Sequence, residues 1–159
     1  PHATCVVKKA AWSNPFLAGV MLATGYIQNN DPEQLIAECV DCLARDSTLL
    51  IFPEATRTVP GHPMKLKRGA ATVIATSGKT FAPVVISCTP LTLTKGKKWH
   101  DIPDQRGHFQ ITVGTPVEPA QIVIDGERRT KNNRRINCVL LSIFEGGIER
   151  HEQRYGERS

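Results

Sequence analysis

The sequence has no internal repeat, no low-complexity tract and no linker. Nothing therefore divides its 159 residues, a length that suits one domain with a substantial core. Residues 1–159 read as a single domain. A membrane-spanning run is also missing. The longest uncharged stretch, Ala10 to Asn30, is broken by Asn14-Pro15 and closed by Gln28-Asn29-Asn30. Its dense apolar part, Phe16 to Ile27, is too short to cross a bilayer and reads as a short buried or interfacial helix followed by a strand. Disulfide pairing is disfavoured too. The five cysteines are odd in number and no signal peptide is visible, which points to a reducing compartment.

What is present is an ordinary globular composition, 40% hydrophobic and 22% charged, with a net charge of +5. That charge favours acidic partners: phosphate groups, anionic lipid surfaces, acidic carrier proteins or nucleic acid. Nucleic acid is set aside, because no interleaved aromatic–basic pattern or recognition motif accompanies the charge.

The apolar patterning alternates strands with helices. Thr4–Val7 reads as a strand, and Pro15 suits the first turn of a helix running to about Leu22. Gly25-Tyr26-Ile27 reads as another strand. Asp31-Pro32-Glu33-Gln34 reads as a helix start with a capping-box-like pattern, and that helix ends near Arg45 or Asp46. Thr48–Phe52 is apolar throughout, as in a parallel strand covered on both faces. A helix over Gly69–Thr76, a buried strand over Phe81–Ile86 and a strand with one wetter face through Phe109, Ile111 and Val113 follow. A last helix spans Arg135 to about Arg150, bent or ended by Gly146-Gly147. The predicted fold is α/β, with a mostly parallel central sheet flanked by helices.

Chemistry concentrates where "IFPEATRT", residues 51–58, leaves the buried strand. In open α/β sheets, ligands gather beyond the carboxyl ends of the strands. Pro53 stops the ladder because it lacks an N–H. Glu54, Thr56 and Arg57 then offer a carboxylate, a hydroxyl and a planar guanidinium fork suited to a phosphate. A surface turn with a local Glu–Arg pair is the alternative. Lys65, Lys67 and Arg68 precede Gly69, where the next helix starts. A helix N-terminus favours an anion, and Gly69 permits close approach.

In this order, "GYIQNND", "FPEATRT", "LKRGA" and "FAPVVI" resemble blocks of the glycerol-phosphate and lysophosphatidate acyltransferases. The resemblance covers roughly Thr4 to Pro116, and its Phe-Pro-Glu-(Gly)-Thr-Arg block is the specific one. It implies transfer of an acyl chain from an acyl-CoA or acyl-carrier-protein thioester to a lysophosphatidate-like acceptor, in phospholipid biosynthesis or remodelling. No other cofactor or metal is implied. Glu54, Thr56 and Arg57 would bind the glycerol-phosphate part. Lys67 and Gly69 would support them, Pro83-Val84-Val85 would line the site, and Gly25 would belong to the second block. An anionic membrane surface is a further expected partner. The expected location is the cytoplasmic side of the inner membrane, reached through segments outside this sequence.

The departures are informative. Ala55 stands where the family has Gly, and Asp31 stands where it has Arg. The family's His-x-x-x-x-Asp pair, a base and the carboxylate that orients it, is missing. Five positions after His2, His62, His100, His108 and His151 stand Val7, Lys67, Gln105, Val113 and Gly156. The resemblance implies that the pair lies upstream of Pro1, leaving the catalytic residues unassigned here. A noncatalytic anion- or lipid-binding module is the alternative.

Three other signals carry less. Ser77-Gly78-Lys79-Thr80 lacks the earlier Gly of a P-loop and leads from helix to strand. Cys39-x-x-Cys42 falls mid-helix with no matching second pair, so it reads as core packing. The basic run Arg128 to Arg135 reads as a solvated helix start, or as a contact for anionic lipid or an acyl carrier.

Overall fold

A computed structural model describes residues 3–13, 15–54, 62–90, 92 and 104–155. Three short strands, β1 (Ala3–Lys8), β2 (Ile27–Asn29) and β3 (Thr48–Leu50), form an all-parallel sheet in the order β2-β1-β3. Val6 of β1 pairs with Ile27, and Cys5 pairs with Leu50. Two helices, α1 (Lys9–Trp12) and α2 (Pro15–Thr24), connect β1 to β2. From β2, α3 (Pro32–Ala44) leads to β3, and α4 (Arg68–Ser77) follows it. A separate antiparallel pair, β4 (Val84–Thr89) and β5 (His108–Val113), precedes the long α5 (Arg129–Tyr155). The α/β class and the parallel sheet flanked by helices are as the sequence indicates.

α3 starts as its sequence suggests, with one difference. Asp31 Oδ1 accepts from the Glu33 and Gln34 N–H groups at 2.9 Å each, and Pro32 occupies the first turn. Gln34 does not reach back to complete the box; its amide donates to Glu38 at 2.7 Å. The same-side i,i+4 partner is the nearer acceptor.

The core lies on one side of the sheet. Val6, Ile27, Leu49 and Ile51 pack with Leu35, Ile36, Cys39, Cys42 and Leu43 of α3 and Val73 of α4. Leu50 and Phe52 alternate with these positions and face the other way. They are 48% and 56% exposed, so this strand is covered on one face and not on both. A uniformly apolar strand shows that both faces want cover; it cannot show what supplies it.

A second core joins Ala71 of α4 to Ile136 and Leu140 of α5. Asn133 of α5 donates to the Thr72 hydroxyl at 2.9 Å, and that hydroxyl donates to the Arg68 carbonyl. At the start of α5, hydrogen bonds from Lys131 and then Arg135 hold Glu127 below the usual carboxylate range.

The later elements differ most from their sequence pattern. β4 begins at Val84, because Phe81 bridges to Val117 and Pro83 offers no N–H. Its Ile86 is 54% exposed and not buried. On β5 every residue but the half-buried Gln110 is exposed, the apolar Phe109, Ile111 and Val113 included. The expected division into a dry apolar face and a wetter polar one is therefore not found: the apolar face is exposed, and Thr112 on the other face is exposed too. α5 runs unbroken through Gly146-Gly147, because Gly147 lies against Val85 of β4.

Candidate functional site

The end of the central sheet and the start of α4 are joined by one backbone hydrogen bond. The Lys67 N–H donates to the Pro53 carbonyl at 2.8 Å. Pro53 closes the apolar run, and Glu54, the next residue, is half-buried in the turn. The bond therefore sets the first residue of the "EATR" stretch beside the first turn of α4.

That first turn has the features that favour an anion. Lys67 is its N-cap residue, extended at φ −80° and ψ 150°, and its side chain makes no capping hydrogen bond. The leading N–H groups of a helix have no intrahelical acceptor, and they carry about half a positive charge. No acidic residue lies in this turn, and Lys65, Lys67 and Arg68 are all exposed around it. At Gly69 an added β-carbon would meet nothing within 4 Å, so the space over the turn is open. Lys8 adds a cation at the same sheet end. It lies three residues beyond Cys5 as Pro53 lies three beyond Leu50, and Cys5 and Leu50 are paired. Sequence reasoning missed Lys8 because only the strand register places it there.

The anticipated residues divide into three groups. Glu54, Lys67 and Gly69 share the carboxyl end of the sheet. Thr56 and Arg57, with Ala55, lie outside the described residues. Gly25 is elsewhere. Its φ is 62°, and it ends α2 with a Schellman pair, Gly25 N–H to Leu22 O and Tyr26 N–H to Met21 O. Its carbonyl accepts from the Thr4 hydroxyl at 2.8 Å, at the start of β1. Pro53 lies beyond the opposite end, four residues after Leu49, the partner of Thr4. At about 3.3 Å per residue the two ends are roughly 13 Å apart.

Asp31 stands at the carboxyl end of β2, and its carboxylate is engaged in capping α3. Pro83 of the late apolar block accepts from Gly114 N–H at 2.8 Å and opens β4.

The remaining features have structural roles. Gly78 of Ser77–Thr80 is the left-handed C-cap of α4, the end of a helix that repels phosphate. Cys39 and Cys42 are buried thiols, and burial, with Cys42 and Glu38 adding, pushes Cys39 up to about 11. A cavity of about 520 Å³ lies between α3, the end of α4 and the start of α5. It is lined by Glu33, Asp41 and Arg129 among others, and by none of the anticipated site residues. Among the described residues no group of three His, Cys, Asp or Glu side chains is placed to hold a metal.

Comparison with known proteins gives a consistent assignment. The model of the Acyltransferase family matches residues 1–87. A 1-acyl-sn-glycerol-3-phosphate acyltransferase of Chlamydomonas reinhardtii is 28% identical over 89 residues, covering 53% of this chain and 27% of the relative. The aligned part thus spans about a quarter of that protein. No solved structure matches the chain.

Proposed function

Since the chain belongs to the acyltransferase family, we propose that its sheet end and the start of α4 hold a lysophosphatidate-like acceptor for O-acylation by an acyl-CoA or acyl-carrier-protein thioester. The observation that carries this reading is the Lys67–Pro53 hydrogen bond, which puts Glu54 beside an uncapped, basic helix start. The acceptor phosphate sits over Gly69 and takes the free N–H groups of α4, with Lys67 beside it. Arg57 and Thr56, which follow Glu54 in the sequence, supply a guanidinium and a hydroxyl to the same phosphate, as the family resemblance implies, and Glu54 accepts from a glycerol hydroxyl. Gly25 acts with the scaffold, by fixing where β2 begins.

The thioester is already activated, so the protein's part is to hold a hydroxyl near the thioester carbonyl and to exclude water. Proximity alone supplies much of such a rate. No His-x-x-x-x-Asp pair lies within these 159 residues. The second reading, a binding module that holds the acceptor without acylating it, draws on that feature. The work is done at the cytoplasmic side of a membrane, where acceptor and anionic lipid are both at hand.

Titration of the chain with a short-chain lysophosphatidate tests the acceptor site. A charge-assisted hydrogen bond contributes about 1.5–3 kcal/mol, so Arg57→Ala weakens binding roughly ten- to a hundredfold. An unchanged Kd removes Arg57 from the site. With acyl-CoA added, the chain binds acceptor without releasing coenzyme A above the background rate. Clear turnover by residues 1–159 alone would show that the base is present after all.

A further inference from the structure

We propose that α2, with Lys8 and Lys9 before it, is a docking element that lies in the surface of an anionic lipid bilayer. It rests on α2 and Lys9, outside the acceptor site, with Lys8 at that site's edge, and stands whether or not that reading holds.

α2 is apolar on every side except for its last residue, Thr24. A water-facing helix normally opposes its apolar stripe with a charged face, whereas an all-apolar helix belongs in a core or a membrane. α2 is not in a core. It packs chiefly on the short α1, and Phe16, Leu22 and Val20 are 89%, 72% and 52% exposed. At 100° per residue, the exposed positions Leu22, Gly19, Ala23, Phe16 and Val20, with Pro15 and Thr24, sweep an arc of about 200°. Among the described side chains of the remaining side, Met21 is buried and Ala18 is half-buried. Ten residues make a rod of about 15 Å, half the hydrocarbon thickness of a bilayer. Among the described residues no helix is long and apolar enough to cross a membrane. A rod this short with no charged face can enter one leaflet at the headgroup boundary but cannot span the bilayer.

Charge selects the lipid. Lys8 and Lys9 are exposed immediately before the apolar segment, and no Asp or Glu occurs from Ala10 to Asn30. Cations at the rim attract anionic headgroups, and no carboxylate in the segment repels them. Lys8 also ends β1 at the same sheet end as Pro53, so docking brings the mouth of the α4 site to the headgroup level. The other exposed apolar face, Ile86, Phe109, Ile111 and Val113, is on strands that contain no Lys or Arg. It serves as the control.

The test is cosedimentation of the whole chain with vesicles of phosphatidylcholine and phosphatidylglycerol in equal parts, and with phosphatidylcholine alone. Wild type pellets with the mixed vesicles and far less with the neutral ones. Val20→Asp/Leu22→Asp lowers the partition coefficient at least about tenfold, the effect of keeping two large apolar side chains in water. Lys8→Gln/Lys9→Gln lowers it about fivefold per charge at low salt and flattens its salt dependence. Ile111→Asp leaves it unchanged. The altered α2 and lysine side chains are all exposed, so the fold is retained, and the lysine pair gives a readout independent of the apolar one. The proposal is overturned by wild-type binding in Val20→Asp/Leu22→Asp, or by an equal loss in Ile111→Asp. It is overturned equally if the α2 change only converts a dimer to a monomer in solution while vesicle binding persists. Loss of vesicle binding in Val20→Asp/Leu22→Asp with short-chain lysophosphatidate binding intact separates the two sites.

Discussion

Gly147→Ala sets two opposed effects against each other, and the packing of α5 on β4 decides between them. In an open helix the change from Gly to Ala gains about 1 kcal/mol, because Gly loses more backbone freedom on folding. At Gly147 a β-carbon would sit 2.6 Å from Val85 Cγ2 and 3.5 Å from Val85 Cβ and Cγ1. Ordinary carbon contacts lie at about 3.5–4.0 Å, so one methyl must yield by about 1 Å. Val85 is β-branched and stiff at χ1, and its strand is fixed by pairing with Thr112. Forcing an extra methyl into such a contact costs about 1–3 kcal/mol. The expected net is a loss of about 1 kcal/mol. Gly146 is the internal control: its added carbon meets only the mobile end of Arg150, at 3.4 Å. Gly146→Ala therefore stabilises by up to about 1 kcal/mol. In a Val85→Ala background the clash is gone, and Gly147→Ala becomes favourable. Urea unfolding reads wild type and the four variants, with midpoints compared at constant slope. Equal midpoints for Gly146→Ala and Gly147→Ala would refute the reasoning, as would a double-mutant cycle with no coupling.

Three further outcomes are expected. Asp31→Ala removes the acceptor for two N–H groups of α3 and costs about 1 kcal/mol in the same unfolding assay, whereas Asp31→Asn keeps most of that. Cys39 is raised from 9.0 to about 11. Its thiol form favours the fold, so stability is complete below pH 9 and falls as the pH rises towards 11. Cys138, which is exposed, is alkylated in the native protein well before Cys39 and Cys42, which react only on unfolding. Equal alkylation rates would contradict the burial of α3.

Local signals that depend on few neighbours were legible in the sequence. Asp31 and Pro32 announce the start of α3 because a cap is made by its own helix. Cys39 and Cys42 are correctly placed in the core, since helical spacing fixes which face they share with Leu35 and Leu43. Signals that depend on what lies opposite were not. The apolar–polar alternation in β5 suggests one dry face, but cover is decided by what lies opposite: α5 meets Val85 of β4 and leaves both Ile111 and Thr112 of β5 exposed. Gly147 looks like a helix breaker in isolation and is a close-packing residue in context. The site shows the same division. The Pro53-Glu54 stop and the Lys67-Arg68-Gly69 helix start are readable one by one, whereas the backbone bond between them belongs to no side chain and leaves no mark in the sequence.

That bond bears on Gly25 as well. Residues from one short conserved-looking block need not act in one place, because a strand of three residues separates its two ends by a real distance. In "GYIQNND" the glycine ends α2 at the entry to β2, and Asp31 caps α3 at the exit. Only the exit faces Pro53 and the start of α4. A ligand held there is in reach of Lys8, Lys67 and the α3 cap, and out of reach of Gly25 by roughly the length of the strand. The carboxylate of Asp31 is oriented by two N–H groups of α3, which draw its charge toward that helix. Where the resemblance would place Arg, it therefore weakens the field on the proposed acceptor phosphate less than a free carboxylate would, and leaves the cations around α4 as the dominant charges there.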